Sequence, residues 1–214
     1  MRHHTMSPLL AAGILLVAAC GGADNAGETD AMDESQATGA VAANDLSCHL
    51  AGATPEEAAE RPSPLRQTRF TFAGGQGLLC YGAPSARGRE IMGGLVPYGG
   101  EPWRAGANEA TALHLTAPAT VGGVSLQAGS YSLYTMPAEG EWEFFVNSSW
   151  ERWGIPINDE VRATEMDSFT VTPSSTDGMV ETLTYTFVPN SEDTGGDIVM
   201  EWEDTRVSFP VEGG

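Results

Sequence analysis

Near the C-terminus, apolar and polar residues alternate with period two in three successive segments. Leu183, Tyr185 and Phe187 interleave with Thr182, Thr184 and Thr186. Ile198, Met200 and Trp202 interleave with Val199, Glu201 and Glu203, and Val207, Phe209 and Val211 with Arg206, Ser208 and Pro210. Successive side chains of a strand point to opposite faces, so each segment offers one apolar face and one wet face. An antiparallel sheet packed on one side has this requirement. Upstream, residues 69–72 and 78–81 flank the glycine-rich turn Gly74-Gly75-Gln76-Gly77, and residues 111–116 alternate. Val121 and Val124 bracket Gly122-Gly123, a two-residue turn suited to positive φ. Residues 131–135 and 142–146 are strand-like as well. About eight to ten short strands with regular turn signals predict an all-β fold, an antiparallel β-sandwich. One short N-terminal helix is expected at Thr54-Pro55-Glu56-Glu57: a threonine cap, a proline at the first helical position and a glutamate at the third. Pro62 and Pro64 end it quickly.

The first residues carry an address rather than a fold. Arg2, His3 and His4 precede the apolar run 9–17, and Ala18-Ala19-Cys20 follows. This reads as a secretory signal, and the run falls short of the roughly 20 apolar residues that span a bilayer. Val17-Ala18-Ala19-Cys20 resembles the bacterial lipobox, so residues 1–19 are expected to be a lipoprotein signal peptide and Cys20 the lipidated first residue. An ordinary signal cut after an A-x-A-like site is the alternative. Residues 20–44 are acidic, small and glycine-rich, with too little apolar surface to offset ordering entropy, and are expected to form a disordered tether. Residues 45–214 then make one β-sandwich domain. The expected location is the cell envelope, lipid-anchored at the outer membrane and facing the periplasm or cell surface.

A net charge of −19 repels polyanions, so nucleic acid is excluded as a partner; the expected membrane contact is the lipid on Cys20. The chain has no lysine, which removes a P-loop lysine, a Schiff base and a lysine general base together. In an exported chain Cys48 and Cys80 most simply form one disulfide, worth roughly 3–4 kcal/mol in the chain-entropy model. Zinc fits poorly, because His49 and His114 lack finger-like spacing. No cofactor and no metal site is indicated.

Residues 83–111 break the strand pattern. Arg87, Arg89 and Arg104 lie among six glycines, followed by Asn108 and Glu109. Gly88-Arg89, Ile91, Gly93, Leu95-Val96-Pro97-Tyr98-Gly99, Trp103-Arg104 and Gly106-Ala107-Asn108-Glu109-Ala110-Thr111 resemble the signature of the domain of unknown function 2911 family. Ala128-Gly129-Ser130-Tyr131-Ser132-Leu133, Pro137, Trp142, Glu201-Trp202 and Thr205-Arg206-Val207 resemble its later landmarks. Arg87 stands where that family carries lysine, which keeps the charge. The resemblance covers roughly residues 81–211 and implies an exported bacterial protein; the family carries no assigned activity.

Arginine presents a planar fork of donors matched to carboxylate, phosphate or sulfate, and a tryptophan gives a sugar or guanidinium a face to stack on. The candidate ligand-binding set is therefore Arg87, Arg89, Trp103, Arg104, Asn108 and Glu109, with Trp142 as a second possible face, for a small anionic or sugar-like ligand. Against this stands a structural reading in which Arg104 and Glu109 pair with each other or with loop carbonyls. A hydrolase-like enzyme using Glu109, Asn108 and Arg104 is the alternative activity. G-x-S-x-G, H-E-x-x-H and C-x-x-C are all missing from the sequence. His114, out of phase with Leu113 and Leu115, is expected to face solvent or a cleft. A non-catalytic binding or envelope-structural module is the leading expectation.

Overall fold

The computed structural model describes residues 46–214. The signal peptide at 1–19, Cys20 and the tether at 20–44 lie outside the described residues. Among the described residues, ten strands form two antiparallel sheets facing each other across one core. The six-stranded sheet has the order β1 (Leu65–Phe72), β2 (Gly75–Gly82), β3 (Ala107–Leu115), β6 (Gly129–Met136), β7 (Trp142–Asn147), β8 (Glu165–Val171). The four-stranded sheet has the order β5 (Val124–Leu126), β4 (Ala119–Val121), β10 (Gly195–Gly213), β9 (Ser174–Pro189). The alternation seen in the sequence sets the core: Leu183, Tyr185, Ile198, Met200, Trp202, Val207, Phe209 and Val211 are all buried against the other sheet. Gly122-Gly123 turns β4 into β5 at φ values of 58° and 92°.

α1 (Pro55–Ala59) forms as expected: Thr54 Oγ1 accepts the Glu57 N–H, and Glu57 returns a carboxylate to the Thr54 N–H at 2.8 Å. Other features depart from the sequence reading. β2 begins at Gly75, so the turn shrinks to Ala73-Gly74. The two C-terminal segments after residue 195 are one strand, β10, kept continuous by bulges between Glu201 and Thr205. β8 and a second helix, α2 (Asp159–Arg162, capped by Asn158), were not anticipated.

The outer face of β2 and β3 is not wet. Cys48 and Cys80 are disulfide-bonded, pinning the chain ahead of α1 across that face. Leu46, Leu78, Cys80 and Ala112 form a second apolar cluster there, with Trp150 packed against it. His114 sits among these residues, only 2% exposed, which corrects the expectation of solvent or a cleft. Its Nδ1 shares a 2.7 Å hydrogen bond with Ser130, and its ring meets the Trp150 ring edge-on at 5.0 Å. Period two placed His114 on the correct face; a cover supplied from residues distant in sequence made that face dry.

Candidate functional site

Between β2 and β3 the backbone is held by local turns and by backbone groups of neighbouring strands, and in part by side chains of the other sheet. Glu181 Oε1 accepts the Arg87 N–H at 2.8 Å, and the two Glu203 oxygens accept the N–H groups of Ile91 and Met92 at 3.3 and 3.0 Å. Glu203 reaches them from the β10 bulge, where its own φ is 58°. Ile91 and Val96 are fully buried beneath this segment, so it is a fixed part of the domain.

Trp103 exchanges two backbone hydrogen bonds with Thr135, at 2.7 and 2.9 Å. Its ring stacks on Trp202 at 6.1 Å and meets Trp142 edge-on at 6.3 Å. Ala105, next but one in the chain, has φ 53°, a left-handed conformation costing about 1–2 kcal/mol without compensation. Compensation comes from hydroxyls: the Ala105 carbonyl accepts from Thr111 at 3.0 Å and from Tyr185 at 2.9 Å. Burial pushes the Tyr185 phenol up, so it remains a donor. The turn thus aims Arg104, whose stem lies against Gly154. A Cβ at Gly154 would come within 2.5 Å of the Arg104 Cδ, and within 2.9 and 3.0 Å of the Asn108 and Glu109 carbonyl oxygens. Glycine is needed there for the arginine to lie as it does.

A cavity of about 330 Å³ opens beside these residues. Its charged lining among the described residues is Arg89 and Arg104, with no carboxylate among them. Trp103, Trp202, Leu95, Pro97 and Ile155 supply much of the apolar wall. Arg89 folds back on its own loop, donating through Nε to Ala86 O at 3.0 Å and through Nη2 to Ser85 O at 2.8 Å. Arg104 is half-buried and spends only Nε, on Gly106 O at 3.2 Å. Among the described residues its two terminal nitrogens meet no acceptor, yet neither is sealed from solvent. Burial lowers the Arg104 pKa, but a guanidinium stays charged in a protein. The cavity therefore holds an unneutralised positive charge in a protein of net charge −19.

Three members of the candidate set are elsewhere. Arg87 is exposed and donates to Pro62 O at 3.0 Å. Asn108, at φ 64°, donates to Ser63 O at 2.7 Å. Glu109 is 5% exposed and pairs with Arg61, both oxygens accepting from Nη1 at 2.8 Å. Of the pairings the structural reading allowed, Arg104 takes a loop carbonyl, that of Gly106, while Glu109 pairs with Arg61, because β3 turns it toward the segment after α1. A proton-transfer role for Glu109 at the cavity has no geometric support. Trp142 is fully buried and offers no face to a ligand.

Sequence reasoning missed Ile155, Trp202 and Arg61. Ile155-Pro156-Ile157 beside Trp153 was the available signal for the first: an apolar run where chain polarity predicts a loop. Nothing in the sequence links Arg61 to Glu109 across 48 residues. Among the described residues no group of three or more His, Cys, Asp or Glu could hold a metal ion.

Fold and site together define a β-sandwich with a small cationic, aromatic-walled cavity at the end of its two sheets. The chain belongs to the family described as protein of unknown function (DUF2911), whose model matches residues 63–211. Every residue lining the cavity lies inside that span, whereas Cys48, α1 and Arg61 precede it. Comparisons with curated proteins and with solved structures return no match.

Proposed function

We propose that this protein is a binding module of the bacterial cell envelope that holds a small anion in the Arg89–Arg104 cavity. The observation that carries this reading is the half-buried Arg104 guanidinium: among the described residues two of its nitrogens have no partner, and no carboxylate lines the cavity beside it. A carboxylate, sulfate or phosphate oxygen supplies the missing acceptors, and charge-assisted hydrogen bonds are the strong kind. Volume agrees with this, since ligand cavities begin near 300 Å³. A neutral sugar fits less well: Trp103 is 9% exposed and stacked on Trp202, so it offers little open face. The hydrolase alternative loses its base to the Arg61–Glu109 pair.

The test is calorimetric titration of the full chain with small anions and with neutral monosaccharides. Binding of anions that weakens tenfold or more in Arg104→Gln is expected, since one lost charge-assisted bond costs about 1.5–3 kcal/mol. Sugar binding indifferent to that substitution would overturn the reading.

Anchoring is the second half of the proposal. The lipobox-like Val17-Ala18-Ala19-Cys20 supports lipidation at Cys20 and attachment to a bilayer on the exported side. Labelled fatty acid should enter the parent and not Cys20→Ser; equal labelling of both would contradict it.

A further inference from the structure

The anion's identity can be narrowed by what surrounds the cavity. Six large apolar side chains are conspicuously exposed among the described residues: Leu95, Trp153, Ile155, Met166, Met179 and Val188. Leu95 (47%) and Ile155 (53%) both line the Arg104 cavity. Ile155 also lines a second cavity of about 470 Å³, together with Trp153 (44%), Pro156 and Val161. The two cavities therefore meet at one isoleucine. Singly exposed apolar residues are ordinary, but a cluster at the mouth of a cavity marks a binding surface.

The two cavities differ in charge. Arg104 leaves donors open in the first, whereas the second contains Glu160 and an Arg152 whose three nitrogens already donate to Ser149 O, Trp153 O, Gly154 O and Ser132 Oγ. An anionic head is matched only by the first. The second offers contact for an uncharged body, with aliphatic rather than aromatic surface at the crossing point.

We infer that the ligand is a monomeric amphipathic anion whose head lies against Arg104 and Arg89 and whose apolar body crosses Ile155 toward Trp153. This rests on the anion-binding reading and adds the apolar half to it. A free acid, and not a bilayer surface, is the matched source, because a protein of net charge −19 is repelled by anionic headgroups.

The experiment is titration of the full chain with butanoate and with octanoate, below the micellar range, in the parent, Arg104→Gln and Leu95→Ser/Ile155→Ser. The last two positions are exposed, so those substitutions leave the core intact. Each buried methylene strengthens binding by up to about fourfold. Octanoate is therefore expected to bind the parent at least tenfold more tightly than butanoate. That preference should fall below threefold in the double variant, and both ligands should weaken together in Arg104→Gln. Equal affinity for the two acids, both lost in Arg104→Gln, would overturn the amphipathic inference and leave the anion site standing. Binding of neither acid, or of any small anion, would overturn both. Adsorption to phosphatidylglycerol vesicles in preference to free octanoate would also overturn it.

Discussion

Arg104 and Arg152 both touch Gly154, and both are about half-buried, yet the fold uses them in opposite ways. Arg152 donates to Ser149 O at 3.0 Å, Trp153 O at 3.1 Å, Gly154 O at 3.3 Å and Ser132 Oγ at 3.4 Å. Its guanidinium closes the turn between β7 and α2 and leaves no nitrogen idle. Arg104 has comparable burial, lies with its stem against the same glycine, and makes one hydrogen bond. Burial lowers the pKa of both, so both carry a desolvation cost. Only Arg152 recovers that cost within the protein. A charge desolvated without recovery is what a site looks like before its ligand arrives, and the comparison teaches that degree of satisfaction, rather than burial, separates a staple from a binding residue.

The comparison can be tested from its largest consequence downward. Arg152→Ala strips partners from four acceptors and should cost about 3 kcal/mol in urea unfolding. A loss under about 1 kcal/mol would remove the staple half of the contrast.

Acid should act through His114. Burial takes the His114 pKa from 6.5 down to about 4. The unfolded chain therefore binds the proton first, so stability is complete above pH 6.5 and declines as pH falls through the interval to 4. The loss approaches about 3 kcal/mol at its limit. His114→Leu should flatten that slope in unfolding measured against pH; an unchanged slope would assign it to other groups.

Arg61→Met strands the buried Glu109 carboxylate. The expected loss is about 2 kcal/mol, below the usual range for a broken buried pair because the Arg61 side chain is 21% exposed. A variant as stable as the parent would release Glu109 as a candidate proton-transfer group. The smallest effect belongs to Arg104→Gln, expected within about 0.5 kcal/mol of the parent.

Much of the sandwich was legible because its alternating strands have one dry face. What escaped had weak or misleading periodicity. β8 is an edge strand with Phe169 its only buried residue and Met166 exposed, so no alternation stands out. β2 reads as a continuous apolar run because the disulfide-pinned segment dries its second face, and the same cover reverses the expectation for His114. Of the arginine- and glycine-rich loop singled out in the sequence, Arg89, Trp103 and Arg104 line one cavity. Asn108 and Glu109 lie apart from that cavity, because their partners, Ser63 and Arg61, come from a segment whose path no local pattern encodes. Ile155 escaped because loops are read for polar residues, and its exposure is a property of the folded surface alone.

The most direct test is urea unfolding of the full chain, parent against Arg104→Gln, with and without octanoate. Ligand that binds only the folded state should stabilise the parent by about 2.7 kcal/mol at a hundredfold excess over Kd. Arg104→Gln should match the parent without ligand and, with binding weakened tenfold or more, gain about 1.4 kcal/mol or less with it. A variant that loses about 3 kcal/mol in the absence of ligand would make Arg104 a staple like Arg152, and the account of an anion site would be wrong.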